Sequence, residues 1–360
     1  SLRRIKLVFA LSGMHLEHKS SKTMSDVIRY RWLYVMNFFW LNTELIGEIL
    51  WIIDGANNGK KLRELTYVAL CVTNCVLANI KCLFLILNED ELTQFTKCLQ
   101  DLEEDEKESE NSGKTTIVEE HRRFLNVFIS TLSSSMALTC IALNLTPLVL
   151  MALGFRKTNE IELILPIPVV YPIDPYDIKY WPLVYLHQIW STFLVAFKIG
   201  GIDCLFYYCC TVIRAHFRLL QHDFECINTC NEMEFQEKFQ KLVARHLLLI
   251  RSVDLVDTVF TKSTLCNFMS SSFIICLAGF NVTAIDDLAF VLSFLTFLVS
   301  CLLQIFLLCY FGDMVMTSSM EASNGIFNAK WYLLKAKTAK QVLLVQIRAQ
   351  KPVKMTAYKF

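Results

Sequence analysis

Charge is scarce in this chain. Only 19% of its 360 residues are Asp, Glu, Lys or Arg, 54% are hydrophobic, and the mean hydropathy is +0.40. A soluble chain of this length carries roughly a quarter charged residues, so an ordinary soluble domain is excluded. The net charge of +1 supplies no positive field for a phosphate backbone, which removes nucleic acid as a partner. Catalytic motifs are lacking too. There is no Gly-rich phosphate loop and no nucleophile elbow. His15 and His18 stand in a basic segment without acidic or cysteine partners, and Cys226 and Cys230 have no second pair, so neither makes a metal site. No enzyme activity, metal or cofactor is expected. The 14 cysteines form no loop-borne disulfide framework: most, such as Cys75, Cys140, Cys209 and Cys301, sit in apolar runs as small hydrophobes. The apolar run at 7–13 is too short, and lacks the cleavage site, for a removable signal peptide.

What the chain does have is six apolar stretches, near 32–53, 66–87, 124–153, 183–213, 264–284 and 286–311. A helix of about 20 residues crosses a bilayer, so the expected fold is all-α and polytopic. Lys and Arg number 7, 3, 5, 3, 6, 0 and 6 in the successive segments 1–31, 54–64, 88–123, 154–180, 214–251, 281–287 and 312–352. That alternation places the N-terminus in the cytosol and the loops 54–64, 154–180 and 281–287 outside. The run 101–110 (DLEEDEKESE) reads as a solvated loop that breaks a helix. The helices outrun the membrane: residues 183–228 would make roughly 65–70 Å of helix, against a hydrocarbon core of about 30 Å. Beyond the core, Phe217, Leu220 and Phe224, then Phe235, Phe239 and Leu242, then Trp331, Leu334 and Val342 recur at helical spacing. The expected division is a transmembrane bundle with a ligand pocket over 1–325, cytosolic extensions at 214–260 and 312–352 that associate as an anchor domain, and the start of a further helix at 353–360. Beginning on Ser1 and stopping on Phe360 in mid-pattern, the sequence reads as a piece of a longer chain.

Two regions carry a resemblance. The outer loop holds Leu165-Pro166-Ile167-Pro168, Tyr171-Pro172-Ile173-Asp174, Tyr180-Trp181 and Tyr185-Leu186-His187-Gln188. The C-terminal part holds Gln304, Tyr310-Phe311-Gly312-Asp313, Ser323, Trp331-Tyr332 and Arg348-Ala349-Gln350-Lys351-Pro352. In both, and in layout throughout, the chain resembles the insect odorant receptor family. The resemblance implies a seven-helix, odorant-gated, non-selective cation channel subunit with a cytosolic N-terminus in the plasma membrane of sensory neurons. It implies tetramers formed with a shared odorant-receptor coreceptor. It also implies a split last helix, its cytosolic half at 338–351 and its pore half only begun at 355–360. Trp331, Tyr332, Arg348, Gln350, Lys351 and Pro352 would lie in the anchor where subunits meet. Gustatory receptors share the architecture, but Gln350-Lys351-Pro352 and Trp331-Tyr332 favour the odorant branch. A G-protein-coupled receptor would place its N-terminus outside, and a transporter would show midplane helix breaks and paired half-repeats.

A pocket for small volatile molecules is expected to be apolar and aromatic and to lie in the outer half of the bundle. That selects Tyr67, Leu70, Cys71 and Asn74; Met136, Thr139 and Leu143; His187, Trp190, Ser191 and Phe193; and Phe290, Phe294 and Phe297. Each could equally be packing. Polar groups inside a span mark function or pairing: Lys198 and Asp203, five apart, are expected to pair with each other, and Lys81 to snorkel to the inner interface. Asp286 and Asp287 would draw cations to a pore mouth or cap a helix, and Asn281-Val282-Thr283 is a sequon in a very short turn.

Overall fold

The structure is a computed structural model that describes residues 2–14, 31–107, 112–227, 231–284 and 288–358. These residues are almost entirely helical: α1 Leu2–Ser12, α2 Trp32–Asn57, α3 Leu62–Leu87, α4 Glu89–Lys107, α5 Ser112–Thr158, α6 Trp181–Glu225, α7 Glu232–Ala284, α8 Leu288–Asn328, a 3₁₀ turn Trp331–Leu333 and α9 Ala336–Ala349. No strand occurs among the described residues.

Four helices are far longer than a bilayer is thick. With 47, 45, 53 and 41 residues, α5 to α8 reach roughly 60–80 Å at 1.5 Å per residue. They run unbroken because apolar periodicity continues past the hydrocarbon and the neighbouring helix supplies a second wall. Pro147 interrupts the hydrogen bonding of α5 without ending it, and the Tyr185 hydroxyl of α6 donates to the Asn144 carbonyl one turn earlier. The largest core runs down this extended part. Phe217, Leu220 and Phe224 of α6, Phe235, Phe239 and Leu249 of α7, Phe311, Val315 and Ile326 of α8 and Val342 of α9 are all buried in it. α1 and α4 close its flanks with Ile5, Phe9, Phe95 and Leu102.

Among the described residues, five helices are long and apolar enough to cross a membrane: Leu62–Leu87, Lys114–Lys157, Trp181–Glu225, Glu232–Thr283 and Phe294–Leu333. The first expected span is a helix, α2, but is not among these five. Glu44 and Glu48 lower its hydropathy, yet both carboxylates face inward and are buried, while Trp32, Phe39, Ile46 and Ile53 are exposed on the opposite face.

The structure differs from four expectations. The acidic run is helical as far as Lys107, because Phe95, Cys98, Leu99 and Leu102 give α4 a buried stripe. The start of a further helix at 353–360 is not seen over 353–358, which have no helical structure. That irregular segment lies along α7 and α8, with Val353 N bonded to Ser319 Oγ (3.1 Å) and Tyr358 N to Thr261 Oγ1 (2.6 Å). Lys81 does not snorkel, and Lys198 and Asp203 do not pair with each other. Lys81 Nζ of α3 is buried against Asp203 Oδ1 of α6 at 2.6 Å, and Gln304 Nε2 of α8 donates to Asp203 Oδ2 at 2.7 Å. Lys198 Nζ turns to Asn79 Oδ1 (3.1 Å) and the Tyr34 ring. A pair between helices neutralises both charges inside the bundle.

Candidate functional site

Four of the expected pocket residues come together at the end of the bundle where α3 and α8 begin. Tyr67 packs edge-on against Phe294 (6.3 Å between centroids) and Phe297 (6.1 Å). Leu70 is fully buried in the same cluster, with Ile274 and Ala278 of α7. Helical spacing explains the grouping: 67 and 70 on α3, and 294 and 297 on α8, each lie one turn apart on one face. Edge-to-face rings bring the positive edge of one to the negative face of another, an arrangement that also suits a small aromatic guest. Cys71 is buried beside them, and Asn74 Nδ2 donates to its own helix, at Leu70 O (3.1 Å).

The other residues lie elsewhere. Met136 and Phe193 face each other across a cleft between α5 and α6. Thr139 Oγ1 donates to Ser135 O, and Leu143 is half-buried. Trp190 packs inside the α2–α3–α6 contact, with Leu41, Cys75 and Leu194, and its indole N–H donates to Asn37 Oδ1. Ser191 is buried and its hydroxyl finds no partner among the described residues. The side chain of Phe290, and the acids Asp286 and Asp287, lie outside the described residues. Asn281 is buried, accepting from Thr66 Oγ1 and donating to Leu277 O.

His187 belongs to a polar network. Its Nδ1 meets Glu44 Oε2 at 2.8 Å and its Nε2 meets Thr43 Oγ1 at 3.0 Å, while the ring stacks on Trp40. The Tyr171 hydroxyl of the outer loop donates to the same Glu44 oxygen at 2.9 Å. Burial and the Glu44 carboxylate push the ionisation of Tyr171 upward, so it stays a donor. Gln188 ties the loop down twice, accepting from Ile167 N and donating to Ile167 O. Both Glu48 oxygens are buried beside the Cys75 thiol, with no N–H or O–H donor among the described residues. Sequence reasoning missed Glu44 and Glu48. The signal was present, two carboxylates four apart in an apolar helix, which is costly in a membrane unless one face is inward.

The same arrangement of helices recurs in the olfactory receptor OR5 of Machilis hrabei, which superposes with a TM-score of 0.80 over all of this chain and 91% of that one, at 15% identity. The structure of that receptor in complex with eugenol gives a TM-score of 0.78 at 16% identity. At this identity the likeness establishes the fold. The family described as 7tm Odorant receptor matches residues 62–360. The chain belongs to that family. Among relatives, odorant receptor 67c of Drosophila melanogaster is 22% identical over 93% of this chain and 83% of its own length. Odorant receptor 85b of the same fly is 29% identical over 48% of this chain and 44% of its own length. The receptor is therefore a multi-pass membrane protein with an all-helical fold, and the resemblance seen in its outer loop and C-terminal part holds.

At the other end of the receptor, α9 is clamped to α7. Thr338 Oγ1 donates to Glu232 Oε1 (2.7 Å), Gln236 Nε2 donates to Thr338 Oγ1 (3.1 Å), and Lys335 Nζ meets Glu232 Oε2 (2.9 Å). The bonds from Lys335 and Thr338 lower the pKa of the Glu232 carboxyl. Val342 and Ala349 bury one face of α9, leaving Leu343, Leu344 and Ile347 exposed on the other. Of the expected anchor residues, Trp331 and Tyr332 pack edge-on with both rings largely outward. Arg348 Nη1 reaches the Lys351 carbonyl (3.4 Å), and Gln350, Lys351 and Pro352 are exposed.

Proposed function

We propose that this receptor is a subunit of an odorant-gated, non-selective cation channel. It takes small volatile organic molecules in the outer half of its bundle and works with an odorant-receptor coreceptor, in a hetero-tetramer, in the plasma membrane of sensory neurons with its N-terminus in the cytosol. The observation that carries the reading is the Tyr67–Phe294–Phe297 ring cluster at the outer end of α3 and α8. It is apolar and aromatic, as a volatile ligand requires, and it sits in a fold shared with a receptor solved with eugenol. The alternating Lys and Arg counts support the orientation. The exposed apolar face of α9, with Trp331 and Tyr332, supports assembly at the cytosolic end.

The test is whole-cell recording from cells expressing the full-length receptor with the coreceptor, against a panel of volatiles. An inward cation current evoked by one or more volatiles is expected. Phe297→Ala should then shift the half-maximal concentration by about tenfold or more, since an aromatic contact is worth roughly 1–2 kcal/mol. A receptor that reaches the surface with its coreceptor and yields no current to any volatile would overturn the reading.

A further inference from the structure

α1, α5 and α6 enclose a cleft, lined in part by Met136 and Phe193, that lies apart from the Tyr67–Phe294–Phe297 cluster. Its free space is about 90 Å³, and its walls are apolar except for Arg4 and Ser133. Along α6 it runs from Phe193 to Cys204. Eleven residues of helix rise roughly 16 Å, which is the depth of one leaflet of a hydrocarbon core about 30 Å thick. Cys204 lies 23 residues beyond Trp181, the outer start of α6. That is roughly 35 Å down the helix, so the Cys204 end stands at the inner headgroup level. α1 floors that end: Ile5 and Phe9 are buried, and a Cβ on Gly201 would lie 3.0 Å from Val8. Arg4, on the same helix and lining the same cleft, is exposed, as is Arg3 beside it. Gly200 admits the Met136 side chain into the cleft wall; a Cβ there would fall 1.8 Å from the Met136 methyl.

We propose that this cleft binds an anionic phospholipid of the inner leaflet, with one acyl chain between α5 and α6 and the phosphate at Arg4. The proposal rests on the cytosolic placement of the N-terminus argued above. The occupant follows from charge and depth together. Among the described residues the one charged side chain lining the cleft is a guanidinium, suited to a phosphate oxygen pair, and a basic helix of this kind lies in the interface plane. The other walls offer nothing to a polar solute, and their length matches an acyl chain descending one leaflet.

The experiment is photolabelling of the full-length receptor in nanodiscs of phosphatidylcholine. Trace phosphatidylserine or phosphatidylcholine carries a diazirine midway along one acyl chain. Labelled peptides should map to 129–140 and 193–204, with the serine probe incorporated several-fold more than the choline probe. Arg4→Gln should reduce the serine probe to the level of the choline probe, and Arg4→Lys should keep most of the difference. Ala137→Phe, which fills the cleft from its exposed wall, should lower both probes, with an unchanged gel-filtration profile showing that the fold persists. Equal labelling by the two headgroups, no effect of Arg4→Gln, or displacement by eugenol rather than by unlabelled phosphatidylserine would overturn the proposal. So would competition by inorganic phosphate, which would place a free anion at Arg4. In cells, Arg4-dependent labelling only by a probe confined to the outer leaflet would overturn the orientation and leave the cleft a lipid site.

Discussion

Lys81 and Asp203 are tolerable inside this bundle because each cancels the other's charge. Neither side chain has more than 9% of its surface exposed, and Gln304 satisfies the second Asp203 oxygen. Removing one member leaves an uncompensated buried charge, which costs about 3–5 kcal/mol, whereas removing both is close to neutral. Lys81→Met should therefore collapse the yield of monodisperse receptor in detergent, and Lys81→Met with Asp203→Leu should restore most of it. If the single variant is as monodisperse as the parent, the pair is not structural. A second residue-scale prediction concerns pH. His246 of α7 is buried against Phe217 and near Arg348, and burial lowers its imidazole pKa to about 4 from an ordinary 6.5. The folded state thus holds a neutral ring that the unfolded state protonates below 6.5. Its stabilising contribution is complete above pH 6.5 and is lost as pH falls toward 4, by up to about 3 kcal/mol. The melting temperature of the detergent-solubilised receptor should fall over that window, and His246→Gln should flatten the fall. An equal fall in parent and variant would show that His246 does not cause it.

The long helices pack closely at a few backbone positions. Near the C-terminal end of α8, Gly325 meets the Gln221 carbonyl of α6, and an added Cβ would fall 2.4 Å from that oxygen. A backbone atom cannot swing aside as a flexible side chain can, so even Gly325→Ala should destabilise, by about 1–3 kcal/mol. An unchanged melting temperature would show that the two helices separate freely. Element type and length were legible in the sequence, because apolar runs of about 20 residues and three-four spacing survive any tertiary context. That 67 with 70, and 294 with 297, share a face of their own helix was legible for the same reason; that the two faces meet was not. Two other things were not. The helical nature of α4 was hidden by its acidic end, where the charge run outweighs the buried stripe of Phe95, Leu99 and Leu102. Which polar groups meet across helices was hidden because partners such as Lys81 and Asp203 stand 122 positions apart, and single-sequence periodicity says nothing about rotation between helices.

At the scale of the whole molecule, the two ends of the bundle differ. The end where α3 and α8 begin holds the ring cluster, the loop before α6 is clasped by Glu44 and Gln188, and the far end holds a packed core with an exposed apolar face on α9. Leu344 is 68% exposed, with Leu343 and Ile347 beside it on α9 and Tyr332 just before it. Each such side chain contributes roughly 1.5–3 kcal/mol when covered, so in the proposed assembly a few of them would suffice to hold subunits that the membrane aligns. A charge in that seam would be buried without a partner on association and would cost several kcal/mol, yet it would be solvated in the lone subunit. Leu344→Glu should therefore leave the receptor folded, with its melting temperature little changed, and should sharply reduce its co-purification with the coreceptor. Leu344→Met, which keeps volume and polarity, should co-purify as the parent does. Undiminished co-purification of Leu344→Glu would mean that α9 faces the cytosol in the assembly, and that the subunits meet through Trp331, Tyr332 or another surface.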